Sequence, residues 1–175
     1  MTPPEIDKES ALCMLRELVA EDLARAVEAH RETQRGATHE EAKPENDKDT
    51  RALEATYLAR GLAERVAVLE NALAALASLK LRSFDADTPL ALGAIVTLTG
   101  DRVPAAAKPD ALRNPAHYFL VPAAGGLKLT VGEALLTTVT LEAPLGRALL
   151  GAYEGDEISV QTPQGARALE IERVY

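Results

Sequence analysis

The stretch DTRALEATYLARGLAERVAVLENALAALASL, residues 49–79, places apolar side chains at Ala55, Leu58, Leu62, Val66, Leu69, Leu73 and Leu76. The steps between them are three or four residues, close to a heptad seam, so together they form one stripe along a helix. The stretch contains no Pro, and Gly61 is its only Gly. A helix of this length spans roughly 45 Å at ~1.5 Å per residue. One apolar stripe on an otherwise polar helix needs a partner to cover it.

That partner lies just upstream. From Ser10 to Gly36 the chain repeats the pattern with Leu12, Leu15, Val19, Leu23, Ala26 and His30. Ser10 is the expected cap, because its hydroxyl can accept from an orphan N–H of the first turn. Arg16, Glu17, Glu21, Arg25 and Glu28 fall on the other faces. Folded back on each other, the two helices bury both stripes as an antiparallel coiled-coil hairpin over residues 1–82. Separate helices pairing between two chains is the alternative. The turn, about residues 37–50, is crowded with carboxylates: Glu40, Glu41, Glu45, Asp47 and Asp49. A projecting hairpin that presents such a turn suits a basic or metal-bearing target.

Composition narrows the classes of function. The 175 residues suffice for one ordinary domain or two small ones, and 47% are apolar. Aromatics make up only 3%, so Ala, Leu and Val must build the core, a mix that favours helix-on-helix packing. The net charge of −8, with no dense basic run, argues against independent DNA binding and for a basic protein surface as target. Cys13 is the only cysteine, so no intrachain disulfide can form, and its helical context predicts a small buried side chain. The N-terminus lacks the basic start and apolar segment of a signal peptide, and no apolar run approaches the ~20 residues that span a membrane. The chain reads as cytoplasmic and monomeric.

After Ser83 the period changes from helical to alternating. Residues 94–99, 117–121, 137–141, 157–162 and 168–174 are short, rich in β-branched residues and separated by turn signals such as Gly125-Gly126 and Gly155-Asp156. Pro163 pre-sets a turn torsion and Gly165 accepts a positive one, which predicts a hairpin between the last two strands. Residues 145–150 form a helical turn or two. The fold class is therefore α+β: a helical hairpin, then an antiparallel sheet with a short helix over residues 83–175. Residues 101–115, with three prolines, form a long loop.

The segment Ala143-Pro-Leu-Gly-Arg-Ala-Leu-Leu-Gly-Ala-Tyr-Glu-Gly-Asp-Glu-Ile-Ser-Val-Gln-Thr-Pro-Gln-Gly165 closely resembles the C-terminal domain of the bacterial GreA/GreB transcript-cleavage and elongation factors. The family shows Ser-Pro-(Ile/Leu)-(Gly/Ala)-(Arg/Lys)-x-Leu-(Leu/Ile)-Gly, then Gly-Asp, then Thr-Pro-x-Gly. Its order, a coiled-coil hairpin followed by an FKBP-like domain, covers almost the whole chain.

The resemblance implies that the C-terminal domain grips bacterial RNA polymerase beside its secondary channel. Pro144, Leu145 and Arg147 would lie in the gripping segment. It implies that the hairpin enters the channel and that tip carboxylates help hold a second Mg²⁺ in the polymerase active site. The polymerase then hydrolyses backtracked RNA. The nascent RNA 3′ end is met only indirectly, and the factor is not itself an enzyme and has no cofactor of its own. Mg²⁺ accepts such a shared arrangement, because it usually takes one or two carboxylates and fills the remaining positions with water and phosphate.

The tip departs from the family pattern Gly-Asp-Leu-x-Glu-Asn. Counting back from Arg65 sets Asp49 at the family's Glu and Asn46 at its Asp. Asp49, Asp47 and Glu45 are the candidate carboxylates, with Asp49 and Asp47 the candidate Mg²⁺ ligands. Both a cleaving factor and a non-cleaving channel binder fit this tip. Ala143 replaces the family's Ser, which removes one side-chain hydrogen bond. The few aromatics of this half do not suggest the apolar cleft that prolyl isomerisation needs. His30, His39 and His117 lie too far apart to form a local metal motif; His30 falls on the helix stripe and reads as packing.

Overall fold

The computed structural model describes residues 6–38, 50–100, 115–163 and 165–175. Helix α1 (Lys8–Thr38) and helix α2 (Thr50–Ser78) come first. They are followed by β1 (Ile95–Gly100), β2 (Ala116–Leu120), β3 (Lys128–Val131), β4 (Ala134–Val139), α3 (Pro144–Leu149), β5 (Glu157–Thr162) and β6 (Gly165–Val174). The chain divides into two compact units. Arg16–Ala74 forms one; Met1–Leu15 with Ala75–Tyr175 forms the other. The expected division between residues 82 and 83 follows the chain, whereas the compact units cut through both helices.

Helix α1 begins earlier than its sequence suggests, because Asp7 rather than Ser10 caps it. The Glu9 N–H donates to Asp7 Oδ1 at 3.1 Å and the Ser10 N–H to Asp7 Oδ2 at 3.3 Å. The Ser10 hydroxyl donates to the same carboxylate. A carboxylate can accept all three bonds and also complements the positive end of the helix. The Ser10 hydroxyl first, and then the Glu9 amide, hold the Asp7 carboxyl below its ordinary pKa.

In the helical unit, Val19, Ala26, Leu69 and Ala72 are buried. Asp22 meets Arg65 at 3.8 Å. These two residues lie almost equally far from the turn, as a folded-back hairpin requires. Arg25 also pairs with Asp22 along α1. Toward the start of α2 the stripe opens: Leu58 is 58% exposed, and Leu53 and Tyr57 are exposed beside it. Cys13 is exposed, which corrects the expectation of a buried thiol. Leu12 and Leu15 take the inward face of the first turns. At about 100° per residue, position 13 is rotated away from both.

The other unit is built on a six-stranded sheet in the order β3-β4-β2-β1-β6-β5. Four of its pairings are antiparallel, as expected, but β2 and β4 run parallel, with His117 opposite Leu136 and Leu120 opposite Val139. Strand β3 is the element that sequence reading missed. It has only four residues, with Leu129 and Val131 buried and Lys128 and Thr130 exposed. Val131 pairs with Ala134 across the two-residue turn Gly132-Glu133. Gly132 sits at φ +58°, the left-handed geometry that Gly accepts at the first position of such a turn. The hairpin expected around Pro163 is present: Thr162 pairs with Gly165, whose φ is +120°.

Both faces of the sheet are covered. Val96, Leu98, Leu120, Val139, Ile158 and Ile171 pack with Phe84, Leu90 and Leu149 in one cluster. Ile95, Thr97 and Phe119 alternate with members of that cluster along β1 and β2 and are also buried. The same compact unit contains the buried residues Ile6, Ala11, Leu12, Leu15 and Leu76 from the helix ends.

Candidate partner-binding surface

The hairpin tip and the short helix α3 are the two places where sequence reading locates function. Glu45, Asp47 and Asp49, together with Asn46 and His39, lie outside the described residues. Among the described residues, no group of three or more His, Cys, Asp or Glu side chains is placed to hold a metal ion. The geometry available is that of α3 and its surroundings.

Pro144 opens α3 in the first helical turn, where its missing N–H costs no hydrogen bond. Ala143 precedes it in an extended conformation, φ −74° and ψ 146°, with no side-chain cap. This fits the expectation that Ala in place of Ser forgoes one bond. Two backbone bonds hold the entry instead: the Ala143 N–H donates to Thr140 O at 3.1 Å, and the Arg147 N–H donates to Ala143 O at 3.1 Å. The Arg147 guanidinium donates through Nη1 to Glu142 O at 2.8 Å, which ties the exposed side chain across the start of its own helix. Leu145 is half-buried against the core cluster, and Leu149 is fully buried in it.

Gly146 explains how so short a helix is held so close. A Cβ at this position would come within 2.0 Å of Thr140 O and 2.7 Å of Thr140 C. Both are backbone atoms and have little freedom to move. Only Gly permits that approach, which seats Leu149 in the core and leaves Pro144 and Arg147 exposed. After α3 the chain is fastened by a reciprocal pair of bonds. The Gly151 N–H donates to Leu90 O, and the Leu90 N–H donates to Ala152 O, both at 2.8 Å.

The structure adds two residues that sequence reading did not select. Leu150 is 51% exposed, and Tyr153 is 41% exposed. Pro144 and Arg147 lie one turn apart on α3, and Leu150 follows at its C-cap. Tyr153 stands just beyond, in a turn set by Asp156, whose Oδ2 accepts from the Tyr153 N–H at 2.8 Å. Leu150 caps α3 in an extended conformation, φ −62° and ψ 120°, just past its last helical residue. An exposed Arg, Tyr, Leu and Pro within ten residues has the composition of an interface core, in which aromatics and Arg are enriched.

The family described as "Transcription elongation factor, GreA/GreB, C-term" matches residues 132–175, the span that contains all of these side chains. A GreA from Syntrophobacter fumaroxidans is 53% identical over 34 residues, 19% of this chain and 22% of that protein. A GreA from Vibrio parahaemolyticus is 47% identical over 36 residues, 21% of this chain and 23% of that protein. The matched stretch thus spans less than a quarter of these relatives' length. Among solved structures, Thermus aquaticus Gfh1 aligns over 91% of this chain and 92% of its own, at 20% identity and a TM-score of 0.37. A GreA/GreB factor from Nitrosomonas europaea aligns over 61% of this chain and 78% of its own, at 22% identity and a TM-score of 0.33. TM-scores of that size carry no argument about the whole molecule.

Proposed function

We propose that this chain, whose residues 132–175 match the C-terminal model of the GreA/GreB family, is a transcription elongation factor that binds bacterial RNA polymerase. The observation that carries the reading is the α3 surface. Residues 132–175 match the family; Gly146 lets α3 sit against the Thr140 backbone, the Leu90 bonds fasten the chain after it, and Pro144, Arg147, Leu150 and Tyr153 stay exposed. A surface of one cation set among apolar side chains fits an apolar partner patch with a carboxylate at its rim.

In this reading the domain provides the grip and the hairpin provides the reach into the secondary channel. The tip residues Asp49, Asp47 and Glu45 then stand in the polymerase active site, and the polymerase, not this chain, performs the chemistry. As a donor set the tip suits Mg²⁺: carboxylate oxygens are its preferred protein ligands, and one or two suffice. A second Mg²⁺ there would stabilise the attacking and leaving oxygens of the scissile phosphate. The chain's own task is to bring negative charge to that point and hold it. One feature of the sequence favours a second reading, a non-cleaving channel binder: Asn46 stands where the family has a carboxylate.

Two assays separate these readings. Core polymerase should retain the wild-type chain, and Arg147→Ala with Leu150→Ala should weaken retention about tenfold or more, as expected for hot-spot truncations. No retention of the wild type would overturn the proposal. On backtracked complexes with Mg²⁺, a cleaving factor should stimulate RNA cleavage, and Asp49→Ala should reduce it more than Asp47→Ala. Retention without stimulation identifies the non-cleaving binder.

A further inference from the structure

We propose that the outward face of α2, from Leu53 to Val68, is a self-association surface on which a second copy of this chain lays the same face, antiparallel, about a two-fold axis. Leu53 is 56% exposed, Tyr57 66% and Val68 58%. Gly61 is exposed among them, and a Cβ there would meet nothing within 4 Å. At about 100° per residue, Leu53, Tyr57, Gly61, Glu64 and Val68 fall within one quarter-turn of the helix. The seam of Leu62, Val66, Leu69 and Leu73 lies roughly 150° further round. The hairpin's own pairing therefore leaves this second stripe uncovered. All of these residues belong to the helical unit.

Gly61 has no role inside its own hairpin. Gly is among the poorest helix formers, and no neighbouring atom of this chain needs its Cβ to be missing. The missing side chain instead leaves a notch in the middle of the stripe, where another backbone can come close. The order of residues around that notch points to a second copy as the occupant. Inward from one end, four residues separate Leu53 from Tyr57 and three more reach Arg60. Inward from the other, four separate Val68 from Glu64 and three more reach Gly61. An axis between Arg60 and Gly61 thus brings each Leu53 to the second copy's Val68 and each Tyr57 to the second copy's Glu64. Such self-complementarity is the requirement of an isologous contact.

Charge favours the antiparallel direction. Within each chain Arg60 Nε donates to Glu64 Oε1 at 3.1 Å. The two Arg60 side chains meet at the axis, each beside its own Glu64, so the centre carries no net charge. Glu64 Oε2 remains to accept from the Tyr57 hydroxyl of the second copy. Parallel pairing would set Glu64 directly against Glu64, with no apolar cover between them. The face is about 22 Å long at ~1.5 Å per residue, a small contact, so the association is weak and reversible. It needs only α2 and does not rest on binding to polymerase.

Sedimentation equilibrium of the full chain measures the association. The weight-average mass should climb from 18.6 kDa toward twice that value, with a Kd on the order of 10–100 µM. Gly61→Gln separates this surface from the fold. Gln is the better helix former, so the thermal midpoint should rise by about 2–5 °C while the dimer weakens at least tenfold. Disulfide crosslinking in a Cys13→Ser background reads the register. Leu53→Cys and Val68→Cys on one chain should give covalent dimers. Leu53→Cys alone should not, because its two copies stand about 22 Å apart, far beyond disulfide reach. A monomer mass up to about 500 µM, a dimer indifferent to Gly61→Gln, or linkage of Leu53→Cys to itself would each overturn the proposal.

Discussion

The sheet-bearing unit and the distal half of the hairpin keep their apolar residues in opposite ways. In the first, Val96, Leu98, Phe119, Leu120 and Ile171 are buried to within a few percent. In the second, Leu53, Tyr57 and Leu58 of α2 are more than half exposed, although Leu58 belongs to the same heptad stripe as the buried Leu69 and Leu76. A sheet packed on both faces encloses its residues from every side. A two-helix hairpin can cover only one seam, and wherever the partner helix offers little bulk, the stripe stays wet. An apolar stripe in sequence therefore marks a helix face, not a burial depth. In the reading proposed above, a wet distal stripe suits a segment whose surroundings are supplied by another molecule.

The sharpest way to test that contrast is to overfill the packed unit. Gly146→Ala should destabilise the sheet unit by about 3 kcal/mol, since the new Cβ must displace the Thr140 backbone from 2.0 Å. Urea melts followed by far-ultraviolet circular dichroism measure it; a loss below about 1 kcal/mol would show that the α3 seat is looser than the geometry implies. Next come two leucines of one stripe. Leu69→Ala should cost about 2 kcal/mol, toward the low end for buried leucines because a two-helix seam can partly collapse. Leu58→Ala should stay within about 0.5 kcal/mol. Equal losses would mean that the stripe is buried alike along its length.

The smallest effect is one of pH. His117 sits half-buried on β2, its Nδ1 3.0 Å from Thr97 Oγ1. Burial lowers its pKa below 6.5, and the nearby Glu172 charge only partly opposes this. The unfolded chain then binds the proton more readily than the folded one. The contribution to stability is complete above pH 6.5 and is lost as pH falls from 6.5 through the folded value. Melting temperature should drop over that window by a few degrees at most. His117→Gln should flatten the difference between pH 7.5 and pH 5.5; an unchanged slope would assign the acid sensitivity to carboxylates elsewhere.

Much of this molecule was legible without coordinates. The two helices, five of the six strands and the Pro163 turn all follow from side-chain period and turn chemistry, which are local properties. Pro144, Leu145 and Arg147 were selected by a motif whose turn residues keep their order and spacing, and their role rests on the function proposed above. The misses were of another kind. Strand β3 was too short for its alternation to stand out. Asp7 outcompeted Ser10 as cap because a carboxylate can accept several donors at once. Cys13 was assigned to the wrong side of its helix.

Local residue patterns account for both long helices, for five of the strands and for the segment that carries the GreA/GreB signature, because each depends on residues close together in the chain. The parallel pairing of β2 with β4, the exposure of Leu150 and Tyr153, the lack of room for a Cβ at Gly146 and the seat of Lys8 and Arg82 at the Phe84 ring emerge only in three dimensions. Each of these depends on which distant backbone or side chain arrives alongside, and neither period nor spacing encodes that arrival.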